Sequence, residues 1–172
     1  MAEKKATVTF DAIMRDLKSG KYAPVYILMG DESYYIDRIT DYIAENVLDP
    51  DDRDFNQTVV FGADTTAAQV VDMAKGYPVM PAAHRVVIVK EAQGLKSLDA
   101  LERYFEKPLA STLLVIAYKN GTIDRRKKVV GKAEAVGVVF ESKKKRDYEL
   151  PTFIETYLKK HHVALDPKPA AM

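Results

Sequence analysis

The chain has 172 residues, 47% of them apolar and 30% charged, with no cysteine and a formal net charge of +1. This length and balance fit one globular domain, or one domain and the start of another, and the lack of cysteine excludes disulfides and thiolate metal sites. No apolar run approaches the ~18–20 residues of a membrane span, and MAEKKATVTF is followed by no long apolar segment, so it is not a signal peptide and the cytoplasm is the expected compartment.

In chain order, Thr9 is placed to cap a helix from Phe10 to Ser19, with Phe10, Ile13, Met14 and Leu17 on one face and Gly20 after its end. PVYILM (24–29) is a continuous apolar run and reads as a buried strand that Gly30 breaks. A helical period returns from Glu32 to Asn46 through Tyr35, Ile36, Ile39 and Ile43, with Val47 next in the series. DPDDRD reads as a loop, and FNQTVVF (55–61) as a second strand closed by Gly62. Thr65 or Thr66 caps a helix to about Lys75, with Val70, Val71, Met73 and Ala74 apolar, and Gly76 stops it. RVVIVK (85–90) is a third strand, residues 97–106 a helix with Leu98, Leu101, Tyr104 and Phe105 inward, and TLLVIAY (112–118) a fourth strand. Asp124 is expected to begin a helix through Val129, Val130 and Ala133, before a short fifth strand, VVFE (138–141).

Strands that are apolar on both faces and alternate with helices imply a mostly parallel sheet covered on both sides, a doubly wound α/β domain. SKKKRD (142–147) reads as a charged linker. Beyond it Leu150, Phe153, Ile154, Tyr157 and Leu158 recur on one helical face, with Pro151 in the first turn. That face has no later helix to receive it. The expected division is residues 1–145 as the α/β domain and 146–172 as the start of a small, truncated helical domain.

A doubly wound domain that opens with strand, Gly-loop and helix invites a nucleotide site, but GDESYYIDR does not supply one. A phosphate loop of the form GxxxxGK[ST] needs glycines for close backbone approach, a lysine for phosphate and a hydroxyl for magnesium. Five residues on from Gly30 stand Tyr35, Ile36 and Asp37 instead, while Asp31 and Glu32 repel phosphate where a helix N-terminus would attract it. No GxGxxG or GxSxG occurs, and the third strand ends in Lys90–Glu91 rather than an acidic pair. His161 and His162 are adjacent and cannot point the same way, Asp51 and Asp52 read as solvated, and no catalytic, cofactor-binding or metal-binding residue is assigned. Charge is uneven: residues 1–64 carry 7 basic and 13 acidic side chains, residues 123–172 carry 12 and 7. DRRKK (124–128) and the basic C-terminal third are open to two accounts, a solvated surface or phosphate contact by a DNA-binding module.

GYPVMPAAH (76–84) sets Val79 and Met80 between Pro78 and Pro81, where neither a helix nor a central strand can hold them. The pair either packs as an apolar turn against its own sheet or projects toward a partner.

The order and spacing of PVYILMGDESYYIDRI (24–39), DFNQTVVFG (54–62), the YPVMP turn with RVVIVKEAQ (85–93), STLLVIAY (111–118), DRRKKV (124–129), VVFE and ELPTFIETYL resemble the delta subunit of the bacterial DNA polymerase III clamp loader. The resemblance covers nearly the whole chain. It implies an AAA+-like five-stranded domain without a working P-loop, then the start of a helical lid domain, with the collar domain that assembles the loader beyond the chain. It implies a bacterial cytoplasmic subunit, not an enzyme by itself, of a complex that has DNA-directed DNA polymerase (nucleotidyltransferase) activity. The implied partners are the beta sliding clamp, bound directly, and the ATP-binding loader subunits and delta-prime, bound through the collar. DNA would be met weakly or indirectly, and no cofactor or membrane is implied. In that family two apolar residues after the third helix enter a clamp pocket. Val79 and Met80 match them, so Tyr77, Pro78, Val79, Met80 and Pro81 are the expected clamp-binding residues. The rival from another class is a P-loop-like nucleotide enzyme, which tight ATP binding would support.

Overall fold

The computed structural model describes residues 8–143. The expected helix through Leu150–Leu158, the His161–His162 pair and the boundary at 145/146 lie outside them.

Five strands form one sheet: β1 (Val25–Gly30), β2 (Gln57–Phe61), β3 (Arg85–Lys90), β4 (Thr112–Lys119) and β5 (Val138–Ser142). Their order is β2-β3-β4-β1-β5, and every pairing is parallel. The central strands are dictated by composition. VYILM of β1 and LLVIA of β4 are buried throughout, as parallel strands covered on both faces must be.

Two apolar layers enclose the sheet. On one face α1 (Phe10–Lys18) and α2 (Ser33–Asn46) bring Ile13, Leu17, Ile36, Ile39 and Ile43 onto Tyr26, Leu28, Ile88 and Val115. On the other, α4 (Ala67–Ala74), α5 (Glu102–Glu106) and α6 (Lys128–Val136) bring Val70, Phe105, Val129 and Val130 onto Ile27, Val87 and Leu114. Local signals set the helix starts. The Thr9 side chain accepts from the Ala12 amide at 3.2 Å, and Thr66 with Gln69 forms a reciprocal capping box.

Several expectations are corrected. DPDDRD is not an irregular loop: Pro50–Asp52 is a 3-10 turn that runs into α3 (Arg53–Asn56), because Pro50 presets the first turn. The second strand therefore starts at Gln57. It is also an edge strand, bonded to β3 alone, with Val59 and Phe61 exposed rather than buried. Residues 97–106 divide into a 3-10 turn, Leu98–Leu101, and α5. Finally, α6 begins at Lys128, not Asp124. The Asp124 carboxylate accepts the Arg126 amide at 2.9 Å and so holds residues 124–127 as a turn. Ser142, expected in the linker, is the last residue of β5.

Candidate functional site

Two places on this fold answer to the sequence: the C-terminal end of β1, where a nucleotide would sit, and the turn between α4 and β3.

In an open α/β sheet ligands collect at the C-terminal strand ends where neighbouring strands send their connections to opposite faces. Here that crevice lies between β1, followed by α2 on one face, and β4, followed by α6 on the other. Several of its polar groups are engaged within the chain. The amides of Asp31 and Glu32 both donate to the carbonyl oxygen of Ser142, at 3.0 and 3.4 Å. The Glu32 carboxylate accepts from the Tyr34 amide at 3.1 Å and caps α2 itself. Gly30, at φ +134°, is explained by β5: a Cβ there would lie 2.0 Å from the Ser142 carbonyl oxygen. The Lys119 ammonium at the end of β4 sits 2.7 Å from Asp37 and 3.7 Å from Glu91. Partial burial opposes its charge, but the hydrogen bond to Asp37 and the fields of Asp37, Glu91 and Asp41 outweigh that, and its pKa is raised. Glu91, at the end of β3 where magnesium would need a carboxylate, thus faces an internal cation.

The α4–β3 turn is held from both sides. The last carbonyls of α4 are tied to the sheet: Arg85 Nε donates to Met73 O at 3.0 Å and Thr112 Oγ1 to Ala74 O at 2.8 Å. The guanidinium also suits the negative end of the helix dipole. At the far end Ala82 is buried in the layer under α1 and α2. Between these anchors the expected residues share one surface turn. Tyr77 is 74% exposed, Val79 50% and Met80 84%; Pro81 is exposed and Pro78 half-buried. Tyr77 and Met80 therefore do not pack as an apolar turn on their own sheet.

Sequence reasoning missed what stands beside this turn. Asn56, 2% exposed at the end of α3, accepts from the Val79 amide through Oδ1 at 2.6 Å and donates to the Val79 carbonyl through Nδ2 at 3.2 Å. The other large apolar side chains exposed among the described residues are Phe55, Val59 and Phe61, all on α3 and the free edge strand β2. The signal for the edge was weak, since VVF reads alike in central and edge strands.

The DRRKK bases are largely spent on carboxylates. Arg125 pairs with Glu134 at 2.7 Å, Arg126 with Asp124 at 2.9 Å, and Lys127 with Asp99 at 3.5 Å. The hydrogen bonds from Arg126 hold the Asp124 carboxyl down at about 2. Ion-paired, exposed side chains fit a solvated face better than a phosphate track. Among the described residues no three His, Asp or Glu side chains are grouped to hold a metal ion, and no helix is long and apolar enough to cross a membrane.

Comparison with known proteins points one way. A family model described as DNA polymerase III, delta subunit, matches residues 26–143. A curated relative, DNA polymerase III subunit delta of Bacillus subtilis (strain 168), is 28% identical over 156 residues, covering 85% of this chain and 44% of the relative. Among solved structures, the Bacillus subtilis DNA clamp loader delta protein superposes with a TM-score of 0.77 at 26% identity, over 94% of this chain and 50% of that one. A Thermotoga maritima RuvB variant matches at a TM-score of 0.51 and 14% identity over 94% of this chain and 52% of that one, which speaks to the fold alone. The fold is AAA+-like, and the chain spans about half the length of its delta relatives. With a family match over residues 26–143, most of its length, the chain belongs to the delta subunit family of DNA polymerase III.

Proposed function

We propose that this chain is the clamp-contacting part of a clamp-loader subunit in DNA replication. It docks on the sliding clamp through Val79 and Met80, flanked by Tyr77, Pro78 and Pro81, and has no ATPase activity of its own. The observation that carries this reading is the turn itself: bulky apolar side chains held out in solvent on a backbone anchored at both ends. Isolated exposed apolar residues need no explanation, but a fixed apolar projection fits a pocket. Prolines 78 and 81 reduce the entropy lost on docking, and methionine adapts to an irregular cavity. The other loader subunits, reached through parts of the relatives beyond this chain, would supply the ATP cycle, and the cytoplasm of a bacterium would be the setting.

Ring opening follows if the subunit binds the open clamp interface better than the closed one, for only differential affinity shifts an equilibrium. Affinity should therefore be higher for a clamp whose subunit interface has been disrupted by mutation than for the intact ring. Equal affinities would leave docking intact and remove ring opening from the account.

The crevice at Gly30 supports the absence of ATP chemistry. A phosphate there would have to displace the Ser142 carbonyl from the Asp31 and Glu32 amides and meet the Glu32 carboxylate at the N-terminus of α2. Calorimetric titration with magnesium and ATP is expected to give no saturable heat. A micromolar dissociation constant would revive the nucleotide-enzyme alternative.

A further inference from the structure

The prolines of the turn limit its local dihedral angles, but they do not decide where it points. Gly76, at its start, is the least restrained residue a chain can place there. Something else must hold Val79, and a side chain that bonds to its main chain is the carboxamide of Asn56, 23 residues earlier.

We infer that Asn56 is a positioning residue for clamp docking: its buried side chain brackets the backbone of Val79 and sets the exposed turn in its binding conformation before the clamp arrives. The inference rests on the proposed role of Val79 and Met80. A primary carboxamide carries an acceptor and a donor side by side, as a peptide unit does, so it can satisfy the N–H and C=O of one residue at once. Here both are engaged, the amide of Val79 at 2.6 Å and its carbonyl at 3.2 Å. The same Nδ2 donates to the Asp52 carbonyl at 3.1 Å, which ties the bracket to the turn before α3. Val79 O also accepts from the Ala82 amide at 3.2 Å and closes the turn on itself. Asn56 is only 2% exposed while Val79 is half-exposed, so the bonds are part-buried, and losing them would leave the Val79 amide and carbonyl without their side-chain partner. Both Asn56 contacts with the turn run to the main chain of Val79. Its side chain and that of Met80 are left for the partner, and Asn56 itself has no surface to offer the clamp.

The test combines amide exchange on the free protein with a double-mutant cycle on clamp binding. In the unaltered protein the Val79 amide is expected to exchange at least ~100-fold more slowly than in an unfolded chain, although the turn lies on the surface. An unprotected Val79 amide would overturn the inference whatever the variants do. Asn56→Ala, and Asn56→Asp, which keeps the shape and one acceptor but donates nothing, are expected to speed exchange at Val79 while β1 and β4 keep their protection. Asn56→Ala should weaken clamp binding about 5- to 30-fold, the size of one or two net hydrogen bonds. In a protein already carrying Val79→Ser and Met80→Ser, adding Asn56→Ala should change affinity less than about 2-fold, because Asn56 acts only through the turn. A folded Asn56→Ala variant with unaltered affinity, or an equal loss in both backgrounds, would overturn the positioning role. If the serine pair alone left affinity unchanged, the docking role of the turn would fall, and the exchange data would still report whether Asn56 holds it.

Discussion

Replacing Val79 and Met80 together by serine is expected to weaken clamp binding by about 2–4 kcal/mol, roughly 30- to 700-fold in affinity, and to leave the domain folded. Burying a side chain of either kind from full exposure contributes roughly 1.5–3 kcal/mol. Val79 keeps 50% of its surface in solvent and Met80 84%, and scaling each contribution by that fraction gives the stated sum. Stability should change little. Neither side chain belongs to either apolar layer, and the Asn56 bonds to Val79 use its main chain, which serine retains. If the pair instead packed on its own sheet, the variant would melt well below the parent and affinity would fall only with the folded fraction. Melting and clamp titration on one double variant separate the two. A folded variant with unchanged affinity would move the interface elsewhere.

Gly30→Ala is expected to destabilise the fold by about 3 kcal/mol or more, lowering the melting temperature by roughly 6–12 °C. Two costs combine. A backbone at φ +134° is strained for any residue with a Cβ, and the new atom would stand 2.0 Å from the Ser142 carbonyl oxygen and 2.8 Å from its carbonyl carbon and nitrogen. All three are backbone atoms of β5, so no side chain can swing aside; β5 must shift from β1, and the Asp31 and Glu32 amides lose their acceptor. In a working phosphate loop a glycine makes room for a ligand. Here it makes room for the chain, and the cost appears with no nucleotide present. An unchanged melting temperature would show that β5 yields easily and that the crevice is open to a ligand.

Much of the scaffold was legible in the sequence because local and tertiary demands agree. The apolar runs at 25–29, 86–89 and 113–117 are buried on both faces. Thr9 and Thr66 cap where hydroxyls before apolar periods should. The features that were not legible depend on contacts between distant residues. Strand order is set by which edges meet, so VVF of β2 could not be told from a central strand until the structure placed it at the edge. Asn56 lies in DPDDRDFN, a stretch whose polar composition reads as solvated, and its partner is 23 residues away. Lys119 joins the end of β4 to Asp37 of α2 and Glu91 after β3, a triangle no spacing rule anticipates. At the turn itself, the two prolines around Val79 and Met80 marked an anomaly, and the structure located it on the surface.

The most direct measurement is amide exchange across the chain with and without a saturating amount of the cognate sliding clamp, the β1 and β4 amides serving as internal standards. Clamp is expected to slow exchange at Val79, Met80 and Ala82 and to leave α6 and β5 unchanged. Absence of any protection in the turn, or protection confined to residues 123–137, would contradict it.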